Sequence, residues 1–310
     1  MAGAKSVLTI ARESNYGSKI EAVEQTLAVA KNFQCDHIVE VIDDIDSPAI
    51  MDVDIVTNLG ALRPLNRKFI EKLKPGAVIP LMFETWVYRK EDIDLDACLE
   101  KDILVLGTNE RYANVDVLSY VGVIAMKLVL AADVEVYQSN ITILGAGVFA
   151  QESQKYLLSA GANVTIIPVS KEGNYDDNKL KNLLIKADIL LIAESICKFE
   201  LLGASSKIKG KDISCINSGV VVAHIIGNID QANLVNEGVL ICPDKFAPPG
   251  YMSVTTAYAG PAPIIRLHAA GLKVGQIMHA AQVAHSSREE AIKQALTDKL
   301  CQDFENVFLS

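Results

Sequence analysis

The chain has 310 residues, half of them hydrophobic, enough to fill two cores rather than one, since single domains usually hold about 100–200 residues. Its 38 acidic and 29 basic residues give a net charge of −9 with no Lys/Arg block, which argues against nucleic acid or another polyanion as partner. The apolar stretch 7–11 is too brief for a signal-peptide core, and the run 121–132 carries Lys127 and is shorter than the ~20 residues that span a bilayer, so a soluble, cytoplasmic protein is expected.

Short β-branched runs alternate with helical segments along the whole length, the pattern of parallel sheets covered by helices. Residues 6–11, 37–42, 54–59, 78–83 and 104–108 are predicted strands, with helices at 18–32 and 94–101 among those between them. Together they make a flavodoxin-like domain of residues 1–112, completed by a C-terminal helix over 286–310. Residues 114–134 read as one long apolar helix, capped by Asn114 or Asp116, that leads into a second domain spanning 113–285. Strands follow at 141–144, 164–169, 189–194, 213–217 and 239–242, with helices at 149–159, 177–187, 230–236 and 263–284. The fold class is therefore α/β, with two parallel-sheet domains.

The segment from Ile141 to Ala150 contains a strand, a GxGxxA turn and a helix start, and a second strand follows Gly161. In a Rossmann dinucleotide-binding domain each small residue of such a turn has a task. Gly145 makes the sharp turn, Gly147 lets backbone approach a pyrophosphate, and Ala150 lets helix pack on strand; the N–H groups from Gly147 through Val148 and Phe149 to Ala150 face the phosphates. The alternative is an ordinary glycine turn between strand and helix. About 20 residues further on, where NAD-binding domains place a carboxylate, stand Pro168, Val169, Ser170 and Lys171. Ser170 and Lys171 could take the 2′-phosphate of NADP, or could be plain loop residues beside NAD, so both cofactors stay open.

Six cysteines lie far apart without a CxxC pair and read as reduced thiols; five histidines show no metal-ligand spacing, so no metal is expected. His224, after an apolar run, reads as structural.

The stretch from Arg89 through Asp94, Leu95, Ala97, Cys98, Ile103 and Val105 to Asn109 resembles the "N-V-D-L-x-A-C-x-x-x-G-I-x-V-x-N" segment of the D-2-hydroxyacid dehydrogenase superfamily. The linking helix, the glycine turn and residues 213–259 follow that family's order. The resemblance implies a nicotinamide-dependent oxidoreductase with its substrate in the cleft between domains. Two family groups have no counterpart. Where the family has an Arg in "N-x-S-R-G", this chain reads Ile216-Asn217-Ser218-Gly219-Val220, and where it has the acid/base His in "T-P-H-x-x-G", this chain reads Thr255-Thr256-Ala257-Tyr258-Ala259-Gly260. The chain also lacks the family's dimerisation insertion, and its compact layout is similar to the dipicolinate synthase A subunit.

Carried onto this sequence, the resemblance places Asn58, Glu84, Trp86, Asn109 and Glu110 on substrate-facing loops of the first domain, and Glu194-Ser195, Ser218-Gly219 and Asp244-Lys245 at strand ends facing the nicotinamide. Tyr258 is the candidate proton donor, with Lys245 lowering its pKa and Asp244 as the remaining carboxylate. Glu84 would attract a cationic, amino-group-bearing substrate, unless Glu84 and Glu110 pair with Arg89 and Arg111. Trp86 is a cleft wall or a core filler, Asn109 a cap or a nicotinamide contact, and Tyr258 a donor or a packed residue. The expected activity is hydride transfer with NAD or NADP on a small polar substrate; the alternatives are a lyase or cyclase that uses bound NAD and a non-catalytic NAD(P)-binding sensor or partner subunit. A homodimer is expected on general grounds.

Overall fold

A computed structural model describes residues 3–13, 17–42, 44–57, 62–284 and 287–304, apart from the side chain of Trp86. It forms two compact α/β units, one of Met1–Val115 with Ile265–Ser310 and one of Asp116–Ile264. Among the described residues no helix is long and apolar enough to cross a membrane.

The first unit begins with β1 (Val7–Ile10), α1 (Lys19–Asn32) and β2 (Val39–Ile42), the two strands pairing in parallel. Helix α1 starts where its sequence allows a capping box. Ser18 Oγ accepts the Glu21 N–H at 3.2 Å, and the Glu21 carboxylate accepts the Ser18 N–H at 2.9 Å, so two donors that the first turn leaves open are both satisfied. Next come α2 (Arg67–Ile70), β3 (Val78–Pro80), α3 (Leu95–Glu100) and β4 (Leu104–Thr108), with β3 and β4 parallel. Asp94 caps α3 by accepting the Ala97 N–H at 2.8 Å. The core gathers Leu65, Phe69, Ile79, Leu81, Ile93 and Ile103.

Two expectations for this unit change. The strand over 54–59 shrinks to one bridge between Ile55 and Val78, because a 3-10 turn at Pro48–Asp52 runs almost up to it; residues 58 and 59 lie outside the described residues. The parallel strands consequently form two sheets, β1–β2 and β3–β4, rather than one of five strands. Of the helix expected over 286–310, the described residues hold α10 (Arg288–Ala295), after which a strand, β10 (Cys301–Gln302), pairs antiparallel with β4; residues 286 and 305–310 lie outside the described residues.

The second unit opens with α4 (Tyr120–Ala131), shorter than expected, because Asp116 takes a left-handed φ of +39° and hydrogen-bonds Ser119 instead of capping a helix at 114. It continues with β5 (Asn140–Leu144), α5 (Gly147–Ser159), β6 (Asn163–Ile167), α6 (Asp177–Leu184), β7 (Ile189–Ala193), α7 (Gly210–Ile216), β8 (Val221–Ile226), α8 (Gln231–Asn236) and β9 (Leu240–Cys242). The five strands are parallel in the order β6-β5-β7-β8-β9. Every residue of β7 and β8 is buried, as helices on both faces of a parallel sheet require. Gly122 lets α4 approach α5 closely: a Cβ there would stand 2.2 Å from the Tyr156 ring.

The predicted strand 213–217 is helix α7, and the fourth strand in chain order is β8. Asn217 ends that helix, and its Nδ2 donates to the Leu184 and Ala187 carbonyls at 3.0 and 2.9 Å, tying off α6 as well. The long helix α9 (Pro261–Ala284) passes from the second unit into the first at Ile265, well before the predicted boundary at 285.

Candidate functional site

Chain order reverses direction across the sheet between β5 and β7: β6 follows β5 on one side and β7 returns on the other. Such a reversal leaves a crevice outside the carboxyl ends of the two central strands, the usual ligand position in open parallel sheets. The turn from β5 to α5 sits there. Gly145 must lack a side chain, since a Cβ would lie 2.2 Å from the Ala193 carbonyl oxygen of β7. Gly147 is exposed at φ +66°, and among the described residues outside its own helix Ile196 Cδ1, at 3.9 Å, is the nearest atom to the space a Cβ would take. Ala146 offers no side chain to cap α5, so N–H donors of its first turn point onward without an acceptor from the cap. Phe149 and Ala150 are buried and Val148 is half-buried, fastening the helix to the sheet.

Flanking loops complete the crevice. Glu194, directly after β7 and 2% exposed, accepts the N–H groups of Ile196 and Cys197 with Oε1 at 2.8 and 2.9 Å; Ser195 is half-buried beside it. On the β6 side, Ser170 and Asn174 close a turn through Ser170 N–H to the Asn174 carbonyl (2.9 Å), and Gly173 packs this turn against Cys197 and Phe199. Sequence reasoning passed over Glu172. Its carboxylate accepts from the Ser170 hydroxyl and from its own N–H, and with Lys171 near it is held below the usual carboxylate range. Ser170 and Lys171 thus lie beside a carboxylate of their own loop.

Ser218 and Gly219 do not join the crevice. They precede β8, at the amino end of the parallel sheet, where the Gly219 N–H is spent on Asn217 Oδ1 at 3.0 Å. The carboxyl end of β8 instead continues as Gly227-Asn228, again without arginine. His224 within β8 is fully buried, stacked on Phe246 with ring centroids 4.5 Å apart. Nε2 lies 3.1 Å from the Gly227 carbonyl, which can only accept, so Nε2 carries the proton and Nδ1 accepts from the Ser253 hydroxyl at 2.6 Å. Burial pushes the imidazole down to about 4. Between pH 6.5 and that value the unfolded chain binds a proton that the folded chain refuses, so stability falls with falling pH, by on the order of 3 kcal/mol in all. Across this window the wild-type melting temperature should therefore fall relative to that of a His224→Gln variant; parallel curves would contradict the assignment.

At the carboxyl end of β9, Asp244 and Lys245 are both exposed, and the Asp244 carbonyl accepts from Gln231 Nε2 at 2.7 Å. The cation beside Tyr258 is not Lys245 but Lys127 of α4, whose Nζ lies 4.5 Å from the ring centroid and donates to the Tyr258 carbonyl. Burial raises the phenol above its ordinary pKa, the opposite of the expected lowering.

In the first unit, Glu84 and Glu110 follow β3 and β4 and come together. Glu84 is 2% exposed and its Oε1 lies 3.6 Å from Arg111 Nε, so its charge is already answered and its attraction for a cationic substrate loses its basis. Glu110, half-buried beside Glu84, is pushed up to about 8 although its carboxyl accepts the Glu84 N–H. Asn109 is committed at both ends of its amide: Oδ1 accepts the Arg111 N–H at 3.1 Å and Nδ2 donates to the Lys299 carbonyl at 3.0 Å. Trp86 is described only in its backbone, within the 3-10 turn Thr85–Val87, and Asn58 lies outside the described residues.

No protein-family model and no curated protein matches the chain. Solved structures do. The dipicolinate synthase A subunit from Bacillus halodurans superimposes with a TM-score of 0.53 at 11% identity, covering 87% of this chain and 97% of that one. Its counterpart from Bacillus subtilis gives 0.52 at 11%, covering 88% and 97%. A candidate D-3-phosphoglycerate dehydrogenase oxidoreductase from Ralstonia solanacearum gives 0.51 at 14%, covering 95% and 100%. At these identities the likeness is one of fold alone, shared with the two dipicolinate synthase A subunits and the Ralstonia protein.

Proposed function

We propose that the protein is a nicotinamide-dinucleotide-dependent oxidoreductase that uses NAD in preference to NADP and acts on a small polar substrate. The observation that carries this is the β5–α5 turn, where left-handed Gly147 leaves open space at an uncapped helix N-terminus, positioned at the sheet's reversal point. The fold shared with a dehydrogenase-named protein supports the same reading. The residues fit the group: the first-turn N–H donors of α5 would hold the pyrophosphate, and the turn carrying Glu172 would lie by the adenosine ribose. When bound, the cofactor supplies the hydride chemistry, and the chain binds, orients and holds a proton. Tyr258 is the proposed proton donor. Its raised pKa keeps the phenol protonated at neutral pH, and Lys127 fixes the turn that bears it.

Glu172 is ionised at neutral pH and would repel a 2′-phosphate, so titration by nicotinamide fluorescence should show NADH binding about tenfold or more tighter than NADPH. Glu172→Gln should narrow that ratio. Equal affinities in the wild type would remove the NAD preference, and no binding of either would remove the dinucleotide reading. A second reading, a dinucleotide-binding protein without turnover, is favoured by the carboxyl end of β8, where no arginine stands beside Gly227 and Asn228. Assay of NAD reduction across a panel of 2-hydroxy acids and amino acids separates the two.

A further inference from the structure

The crevice beside the glycine turn holds one acceptor that the fold leaves without a donor. Glu194 is 2% exposed, and while Oε1 holds the N–H groups of Ile196 and Cys197, Oε2 is equally withdrawn from water and has no hydrogen-bond partner among the described residues. A buried carboxylate oxygen without a donor is costly, and it is retained where a donor arrives from elsewhere. The position says from where. Glu194 follows β7, the strand whose Ala193 carbonyl Gly145 abuts, and the Glu194 N–H is fixed by the Ile226 carbonyl of β8 at 3.0 Å. It therefore stands on the opposite side of β5 from β6, whose following turn carries Glu172. Ile196 links this carboxylate to the glycine turn: its N–H donates to Glu194 Oε1 at 2.8 Å, and its Cδ1, the far end of a flexible and half-exposed side chain, lies 3.9 Å from where a Gly147 Cβ would stand.

Resting on the dinucleotide reading above, we infer that Glu194 Oε2 accepts a hydrogen bond from a hydroxyl of the cofactor's second ribose, the one that carries the nicotinamide, after that ribose displaces the Ile196 side chain. The chemistry matches on both counts. An oxygen left without a donor suits a hydroxyl that can donate, while the pyrophosphate takes the N–H donors of α5 on the other side of Gly147. Two carboxylates then divide the ligand between them, Glu172 beside the first ribose and Glu194 beside the second.

The test compares NADH, ADP-ribose and ADP by calorimetric titration of wild type and Glu194→Gln. The glutamine keeps an oxygen for the Ile196 and Cys197 N–H groups and replaces Oε2 with a donor. NADH and ADP-ribose should bind the variant about tenfold more weakly, and ADP, which lacks the second ribose, should bind it as well as wild type. Equal loss for all three ligands, or no loss for any, overturns the inference. Should the variant fail to fold, the wild type decides alone: an ADP-ribose analogue without the distal ribose hydroxyls should bind about tenfold more weakly than ADP-ribose, and equal affinity overturns the inference. Wild-type protein that binds none of the three ligands refutes the dinucleotide reading itself; wild-type binding of NADH with an unchanged variant refutes only the role of Glu194.

Discussion

Gly147→Val is expected to reduce NADH affinity about a hundredfold or more while the chain stays folded. The residue has φ +66°, so any side chain there carries left-handed strain of roughly 1–2 kcal/mol, a fraction of the stability of an ordinary domain. Among the described residues outside its own helix, the atom nearest to a Cβ there is Ile196 Cδ1, at 3.9 Å. What valine fills is the space through which a pyrophosphate would approach the first turn of α5. Fluorescence titration gives the affinity and thermal melting the fold. A variant that melts within a few degrees of wild type and still binds NADH equally well would show that this turn is only a chain reversal. Gly145 does not allow so clean a test, because its missing Cβ is 2.2 Å from a carbonyl of β7 and substitution would act on the sheet itself.

The second large effect is expected at Glu110. Its folded-state pKa is raised to about 8 by burial and by the neighbouring Glu84, so above pH 4.5 the unfolded chain releases a proton that the folded chain keeps. Stability is thus lost as pH rises from about 4.5 towards 8, on the order of 2–3 kcal/mol by neutrality. Glu110→Gln holds the neutral form permanently. The variant should melt several degrees higher than wild type at pH 7.5, with the gain shrinking towards pH 5. A pH-independent difference would point to packing rather than to the proton. His224 acts in the other direction, losing stability towards acid, so the two groups bracket a stability maximum near mildly acidic pH.

The sequence disclosed the frame of the second unit because its signals reinforce one another. A buried β5, two glycines with separate tasks and a second strand after Gly161 permit one arrangement, and in the first unit the helices expected over 18–32 and 94–101 begin at Ser18 and Asp94, the residues that cap α1 and α3 in the structure. The mistake at 213–217 has a physical origin. Ile213, Cys215 and Ile216 make a short apolar run that fits a strand or a buried helical turn equally well, and the true strand eight residues on begins after another glycine. That error carried Ser218 and Gly219 to the wrong end of the sheet. Glu172 escaped notice because a ribose-binding carboxylate is expected immediately after β6, whereas the chain makes a turn first. The Arg111 partner of Glu84 was one of the two readings the sequence left open, whereas Lys127, on α4, reaches Tyr258 from far along the chain, and no local pattern reports such a long-range pairing.

The order of synthesis gives the last strand a further meaning. β4 receives its antiparallel neighbour β10 about 190 residues later in the chain, and at 5–20 residues per second this separates the two by roughly 10–40 s on the ribosome. The second unit is continuous and its five strands emerge together, so it can complete its hydrogen bonding while one edge of β4 still faces solvent. During that interval the exposed edge is open to any strand that passes, and β10, only two residues long, is the piece that ends the exposure. A terminal dipeptide strand with almost no core of its own thereby serves as the closing seal of a sheet begun long before it was made.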